Sequence, residues 1–472
     1  DNNVGVGAYA LNANTTGTSN TAVGYQALDA NTTASQNTAI GKSVLQRNTT
    51  GAANVGVGHN SLEFNTTADN NTAVGNNCMQ QNTTGANNVA LGDGALNANT
   101  TADNNTALGK AALLVNTTGT SLTAVGANCL DANTTGNSNS ALGINSLGSN
   151  TTGSNNVAMG NSALLANTTA SNNTGIGHAA LTSNTTGNQN VAVGAEALDA
   201  NTTGANNTAI GDSSLSANTT ASENTAVGRA SLNLNTTGEK NTAVGAYALD
   251  NNTTGDNNTA VGRAALDSNT TGAENTAVGS QALIKNTTAS NNTAFGYAPL
   301  YENTTGSDNT AIGHGALQKN TTGVRNTAVG HLAADAVTTG DDMTAIGRKS
   351  FSAVTTGNEN TGVGISSGMS CTTGSENSCF GSEAGHDLTT GSNNVLLGKS
   401  AGRSGSPSGG LTNESNIIVL GNNSITSFYA KVSTIQTSDI RDKADVTDFK
   451  HGLSWVTKLR PVTYRWDMRS NY

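Results

Sequence analysis

Apolar and polar residues recur along this chain with a period of seventeen. "NTAVGYQALDANTTASQ" spans Asn20 to Gln36, "NTAIGKSVLQRNTTGAA" takes over at Asn37, and the phrase begins twenty-four times between Asn3 and Asn394. When each unit is numbered from its Asn, position 4 is always apolar (Val23, Ile40, Leu108, Met159, Phe295) and position 5 is always Gly. Position 9 is mostly Leu, and positions 12 to 14 read "NTT" in nineteen consecutive repeats. A fixed short period marks a solenoid, in which each unit completes its core only against its neighbours. A two-helix unit needs about 30 residues or more. Gly, Asn and Thr favour short strands and tight turns instead. The expected fold is therefore all-β, a parallel β-solenoid with one seventeen-residue repeat per coil. Twenty-four such coils at about 4.8 Å each would form a rod on the order of 115 Å long.

The invariant positions carry expectations of their own. Position 4 is expected to face the interior. Position 2, mostly Thr or Val (Thr21, Val55, Val89, Val157), shares its face by the period of two. Position 3, nearly always Ala or Gly, then lies on the opposite face, where its small size implies a partner chain packed against it. The strict Gly at position 5 implies a positive φ or a wall too close for a Cβ. Leu28, Leu45 and Leu62 at position 9 form a second core row.

In repeats 20 to 23 position 12 becomes Val337, Val354, Cys371 and Leu388, while position 9 becomes Ala334, Phe351, Gly368 and Gly385. An apolar group arrives at one site as Leu generally shrinks at the other, with Phe351 the exception. Two inward sites sharing one volume behave this way. The Asn at position 12 therefore points inward, and stacked amides are expected to bond into a ladder along the rod.

Composition narrows the function. Of 472 residues only 3% are aromatic and 11% charged, 35% are apolar, and Gly alone counts 56. No bulky aromatic core can be built from this. A net charge of −10 without a basic patch argues against nucleic acid, and no run of eighteen apolar residues suggests a membrane segment. A start at Asp1, with neither Met nor a signal segment, reads as a processed chain or a fragment. Four Cys form no disulfide framework. Cys78 and Cys129 occupy one repeat position three repeats apart, about 14 Å along the stack, too far to bridge, and read as small buried residues.

Several tempting motifs have plainer readings. "NTT" matches an N-glycosylation acceptor, but an inward Asn cannot carry a glycan. Rows of Thr suggest an ice-binding face, yet the two Thr are adjacent, so only one of each pair shares a face. His59, His178, His314 and His331 share position 6, which otherwise holds Tyr25, Lys42, Asp93 or Arg229 and reads as exposed and unselective. The "GVG" near Asn3 opens no helix, so a phosphate loop is not supported. No Asp recurs in the register of calcium-binding repeats. No cofactor and no metal site is expected.

"NNTAVG" (Asn70–Gly75), with its alternating apolar residues and fixed Gly, resembles the "NSVAIG" unit of the heads of trimeric autotransporter adhesins. The resemblance covers most of the repeat region. It implies a left-handed parallel β-roll assembled as a homotrimer, with a longer unit and hence a different turn on the "NTT" side.

After Gly398 the phase breaks. "KSAGRSGSPSGGLTNES" (Lys399–Ser415) reads as a Gly/Ser-rich loop or linker. "NIIVLGNNS" then resumes the coil pattern once, within a terminal β segment over residues 416–437. From Ser424 the texture becomes that of an ordinary charged module with two Trp. There "TSDIRDK" (Thr437–Lys443) and "KLRPVTYRWD" (Lys458–Asp467) resemble the C-terminal intramolecular chaperone of phage endosialidases, tail spikes and tail fibres. The chain would hold the N-terminal part of that small α+β module, over residues 438–472. The family module trimerises its fibre and then releases itself by autoproteolysis with a Ser–Lys dyad. By motif position Ser438 would be the nucleophile and Lys443 the general base, a role that burial favours by depressing a lysine pKa.

The functional expectation is a homotrimeric structural fibre, a tail fibre of a virion or an adhesin-like fibre at a cell surface, reaching a host or surface receptor such as a glycan. A polysaccharide-degrading tail spike is the enzymatic alternative. It is disfavoured because the acidic residues scatter over variable positions and aromatics are rare. An ice-binding solenoid is the third reading.

Overall fold

Each repeat of this computed structural model folds as predicted into one coil, and the structure describes residues 2–427 and Tyr429. Positions 2 to 4 form the only strand of each coil, from β1 (Val4–Val6) to β24 (Val395–Leu397), with a last strand β25 at Ile418–Leu420. Successive strands pair in parallel, with equivalent positions opposite each other, as in Thr208↔Thr225, Ala209↔Ala226 and Ile210↔Val227. No helix occurs among the described residues.

Coil 13, residues 207–223, shows how a unit this small stays ordered. Its side chains Ala209, Ser214, Leu215, Asn218 and Asn207 are fully buried. Outside the strand the backbone still bonds along the stack. Gly211 N–H donates to the Val193 carbonyl of the coil before at 2.8 Å, and Leu215 N–H to the Ser231 carbonyl of the coil after at 3.0 Å. Ser213, Leu215 and Glu223 hold φ of 54°, 51° and 62°. These left-handed residues alternate with ordinary ones and turn the intervening peptide planes parallel to the stack, so that N–H and C=O point at neighbouring coils. A left-handed residue other than Gly costs about 1–2 kcal/mol. For Leu215 a comparable gain from full burial, about 1.5–3 kcal/mol, offsets it.

Position 5 satisfies both expectations for its Gly. Gly211 has φ 137°, and a Cβ on Gly211 would sit 2.5 Å from the Gly228 carbonyl oxygen of the next coil. No other residue type fits.

The expected faces of the strand are reversed. Position 3 is inside: Ala209, Ala226 and Ala243 are fully buried. Position 4, expected to face the interior, is half-exposed, with Ile210 at 40%. Position 2 goes with it. The cause is the Leu row. A Cβ built on Gly175, at position 3, meets Leu164 Cγ at 3.3 Å. The Leu of the preceding coil already fills the interior there, and only Ala or Gly fits beside it. The small residue at position 3 therefore packs against its own chain, and the inference of a partner on that face falls.

Positions 9 and 12 both point inward, as expected, and Phe351 is no longer an anomaly. Its ring fills the space left by Gly362 and Gly368 of the next coil, where a Cβ on Gly362 would lie 2.7 Å from the ring.

The Gly/Ser-rich stretch from Lys399 does not separate two stacks. Val395 pairs with Ile418, 23 residues on rather than seventeen. Thr389 N–H reaches the Thr412 carbonyl at 2.6 Å as it would reach its equivalent in any coil. The six extra residues bulge from a single enlarged coil between Gly402, where a position 9 residue would be, and the buried Leu411. This compact unit runs to Ser424, and a second unit begins at Ile425.

Candidate interaction face

The interior is polar and closed. At position 12, Asn218 donates from Nδ2 to Asn201 Oδ1 at 3.0 Å and to its own Ala221 carbonyl at 3.1 Å, and its Oδ1 accepts from Asn235 at 3.0 Å. The predicted ladder is present. Because these amides are fully buried from Asn31 to Asn320, those "NTT" asparagines hold no glycan. Sequence reasoning missed a second ladder, at position 1. Asn207 accepts the Asn224 backbone N–H on its Oδ1 at 3.0 Å and donates from Nδ2 to the Ala221 carbonyl at 2.9 Å. The Ala221 oxygen thus serves both columns. The signal was present in the near-constant Asn at position 1, interrupted only by Leu122 and Met343 over twenty-four repeats.

The Thr at position 13 bonds along the stack as well, Thr202 Oγ1 to the Thr219 carbonyl at 3.0 Å. The Thr at position 14 is exposed. The two Thr of "NTT" thus differ in role and present a single exposed file.

Positions 2 and 4 form a different surface. Position 4 carries Val, Ile, Leu, Met or Phe in every coil and no charge in any, and position 2 is Thr, Val or Ser up to β24. The row stays half-exposed along the stack, with Ile40 at 42%, Leu142 at 49% and Phe295 at 40%. Side chains of this size at that exposure present on the order of 1,500 Å² of apolar surface, whereas the largest patch on an ordinary monomer is about 300–600 Å².

Beside this row lies position 6, which is exposed and variable as expected. Tyr297, His314 and His331 of three consecutive coils stack there, with centroids 5.3 and 5.1 Å apart. Among the described residues no group of three or more His, Cys, Asp or Glu gathers in a way that could hold a metal. The two clearest ion pairs of the middle coils, Lys285–Glu302 at 2.6 Å and Arg325–Asp342 at 2.7 Å, are solvent-exposed and worth little.

The four cysteines are free and buried, as read for Cys78 and Cys129. Burial pushes the thiols of Cys78 and Cys379 up to about 12 and those of Cys129 and Cys371 up to about 11. They are packing groups, not nucleophiles. The dyad named from the sequence, Ser438 and Lys443, lies outside the described residues. No helix among the described residues is long and apolar enough to cross a membrane. No protein-family model matches the chain, and no curated protein matches it.

Proposed function

We propose that this chain is the repeat region of a homotrimeric fibre that extends a receptor-binding assembly from a virion tail or a cell surface. Its three copies would join along the face made by positions 2 and 4. The observation that carries this is the unbroken, charge-free apolar row, from Val6 to Leu397, half-exposed along the stack. Burying a row of that length needs a partner with the same coil spacing over the same distance, and a second copy of the chain supplies it. Variation from Val to Phe along the row suits a protein partner, whose side chains can adapt, better than a crystalline surface. Three copies rather than two, and the left-handed turn of the roll, rest on the resemblance to adhesin heads. Identical coils would also let copies slip against one another at little cost, which gives a C-terminal trimerising module a reason to exist.

The mass in solution tests the assembly. Three chains per particle are expected for the parent. Ile210→Glu with Val227→Glu, outward substitutions that leave the coil interior untouched, should yield single chains with an unchanged β-type circular dichroism spectrum. A parent that sediments as one chain overturns the proposal. Self-cleavage is tested separately: Ser438→Ala should leave the chain intact where the parent is cut. Separation of the fragments in that variant would remove Ser438 from the role.

A further inference from the structure

Coils 2 to 19 are interchangeable. Each presents Ala or Gly at position 3, a large apolar residue at position 9 and Asn at position 12, and each bonds to its neighbour through the same backbone groups. If seventeen residues loop out, coil 12 can rest on coil 14 with contacts equivalent to those it makes with coil 13. A stack built only of such units has many near-degenerate arrangements, which is the condition for a slow, heterogeneous search.

Coils 21 to 24, residues 343–416, differ. Phe351 projects into coil 22, which alone offers Gly at both position 3 and position 9 (Gly362 and Gly368). A Cβ on Gly368 would sit 2.5 Å from the Phe351 ring at Cδ1, so no coil with Leu there can take that place. Leu396 of coil 24 replaces the usual Ala at position 3 and needs Gly385 beneath it, where a Cβ would lie 2.8 Å from Leu396 Cδ1. It also packs over Gly402 of its own coil, where a Cβ would lie 3.1 Å from the same atom. Arg403, at the start of the bulge, pairs with Glu383 of coil 23, and Ser404 N–H donates to Asp387 Oδ2 of that coil at 3.3 Å. Every one of these contacts fits one neighbour only.

We infer that coils 21 to 24 are a stacking key. They close first in the single arrangement their shapes allow, and the interchangeable coils then add to that end toward Asn3, each finding its level already set. The device lies within one chain, so it holds whether the chain assembles in threes or not.

Pulsed hydrogen exchange during refolding of the full chain reads it directly. Amides of coils 21 to 24 should gain protection first and those of coils 2 to 19 afterwards, in order from the C-terminal side. Protection appearing first, or simultaneously, among coils 2 to 19 overturns the inference. A second variant removes the key without removing the fold. Phe351→Leu, Gly362→Ala and Gly368→Ala together remove the ring and fill the cradle that only it can occupy. This chain should still reach the native coil spectrum but refold about tenfold more slowly, the signature of losing contacts formed in the transition state. It should also lose the C-terminal lead in protection. An unchanged refolding rate and order in the triple variant would equally sink the key.

Discussion

The two ends of the solenoid solve one packing problem in opposite ways. In coils 1 to 19 the space beside the position 9 residue is filled by Asn, whose buried amide is satisfied by the coils above and below. In coils 20 to 23 the same space is filled by Val337, Val354, Cys371 and Leu388, which need no partner but must match their neighbours in size. The polar solution extends indefinitely and is the same everywhere. The apolar solution is specific and short. Their junction carries a visible cost: Asn320 still donates to Asn303 Oδ1 at 2.8 Å, but its own Oδ1 faces Val337 and is buried without a partner. Leaving one acceptor unpaired costs about 1–3 kcal/mol. A ladder can thus be ended once at moderate cost, and breaking it in many places would not be tolerated.

The largest effect should come from breaking what the two regions share. Gly245→Ala would place a Cβ 2.6 Å from the Gly262 carbonyl oxygen at a φ of 135°, and the coils must part. A loss of about 4 kcal/mol or more is expected, since strain and overpacking act together. A fall in the denaturation midpoint checks it. Phe351→Ala should follow closely, at about 3–5 kcal/mol, because the ring fills room that Gly362 and Gly368 cannot. Hydrogen exchange should show the damage centred on coils 21 and 22.

Asn218→Ala tests the polar solution. It leaves Asn201 Oδ1 without its donor and one N–H of Asn235 without its acceptor, and should cost about 2–4 kcal/mol, confined at first to the coils on either side. Asn218→Asp should not rescue it, since a carboxylate lacks the donors the ladder uses. The smallest effect is expected from Val337→Asn, which gives Asn320 a partner but leaves the new amide oxygen facing Val354. The orphan moves by one coil, and stability should stay within about 1 kcal/mol of the parent.

The thiols compare the regions without any substitution. Cys78 and Cys129 lie in the uniform coils and Cys371 and Cys379 in the specific ones, all buried. Alkylation at pH 8 should be slow at all four and should report the local opening of each coil, with Cys78 reacting soonest if the uniform end frays first. Their raised pKa values also fix a pH dependence. The folded chain holds these protons to about 11 or 12, against the ordinary value of 9.0 for an exposed thiol. The stability this represents is complete below pH 9 and declines as pH rises toward 11 to 12, because only the unfolded chain ionises in that window. Denaturation midpoints at pH 8 and pH 10.5 should differ in that direction, and Cys→Ser variants should flatten the slope.

Much of this was written in the chain. The period of seventeen, the parallel stack, the Leu row, the Gly at position 5 and the Asn ladder at position 12 follow from residue types that permit one role each. The left-handed residues at positions 7, 9 and 17 were nearly invisible, because Ser213, Leu215 and Glu223 carry no preference for that conformation. The hints were Gly94 and Gly315 at position 7, with φ of 66° and 62°, Gly368, Gly385 and Gly402 at position 9, and the recurrent Asn at position 17 (Asn70, Asn87, Asn104), a residue that tolerates this conformation better than most. The face for a partner was the deeper miss. Period two fixes that positions 2 and 4 share a side of the strand, but it is silent on which side is inside. That choice depends on how much volume Leu and Asn bring from the opposite wall of the coil, a sum over residues distant in sequence. With the wall filled, only Ala fits inward, and the larger apolar residues are turned out to where another chain can cover them.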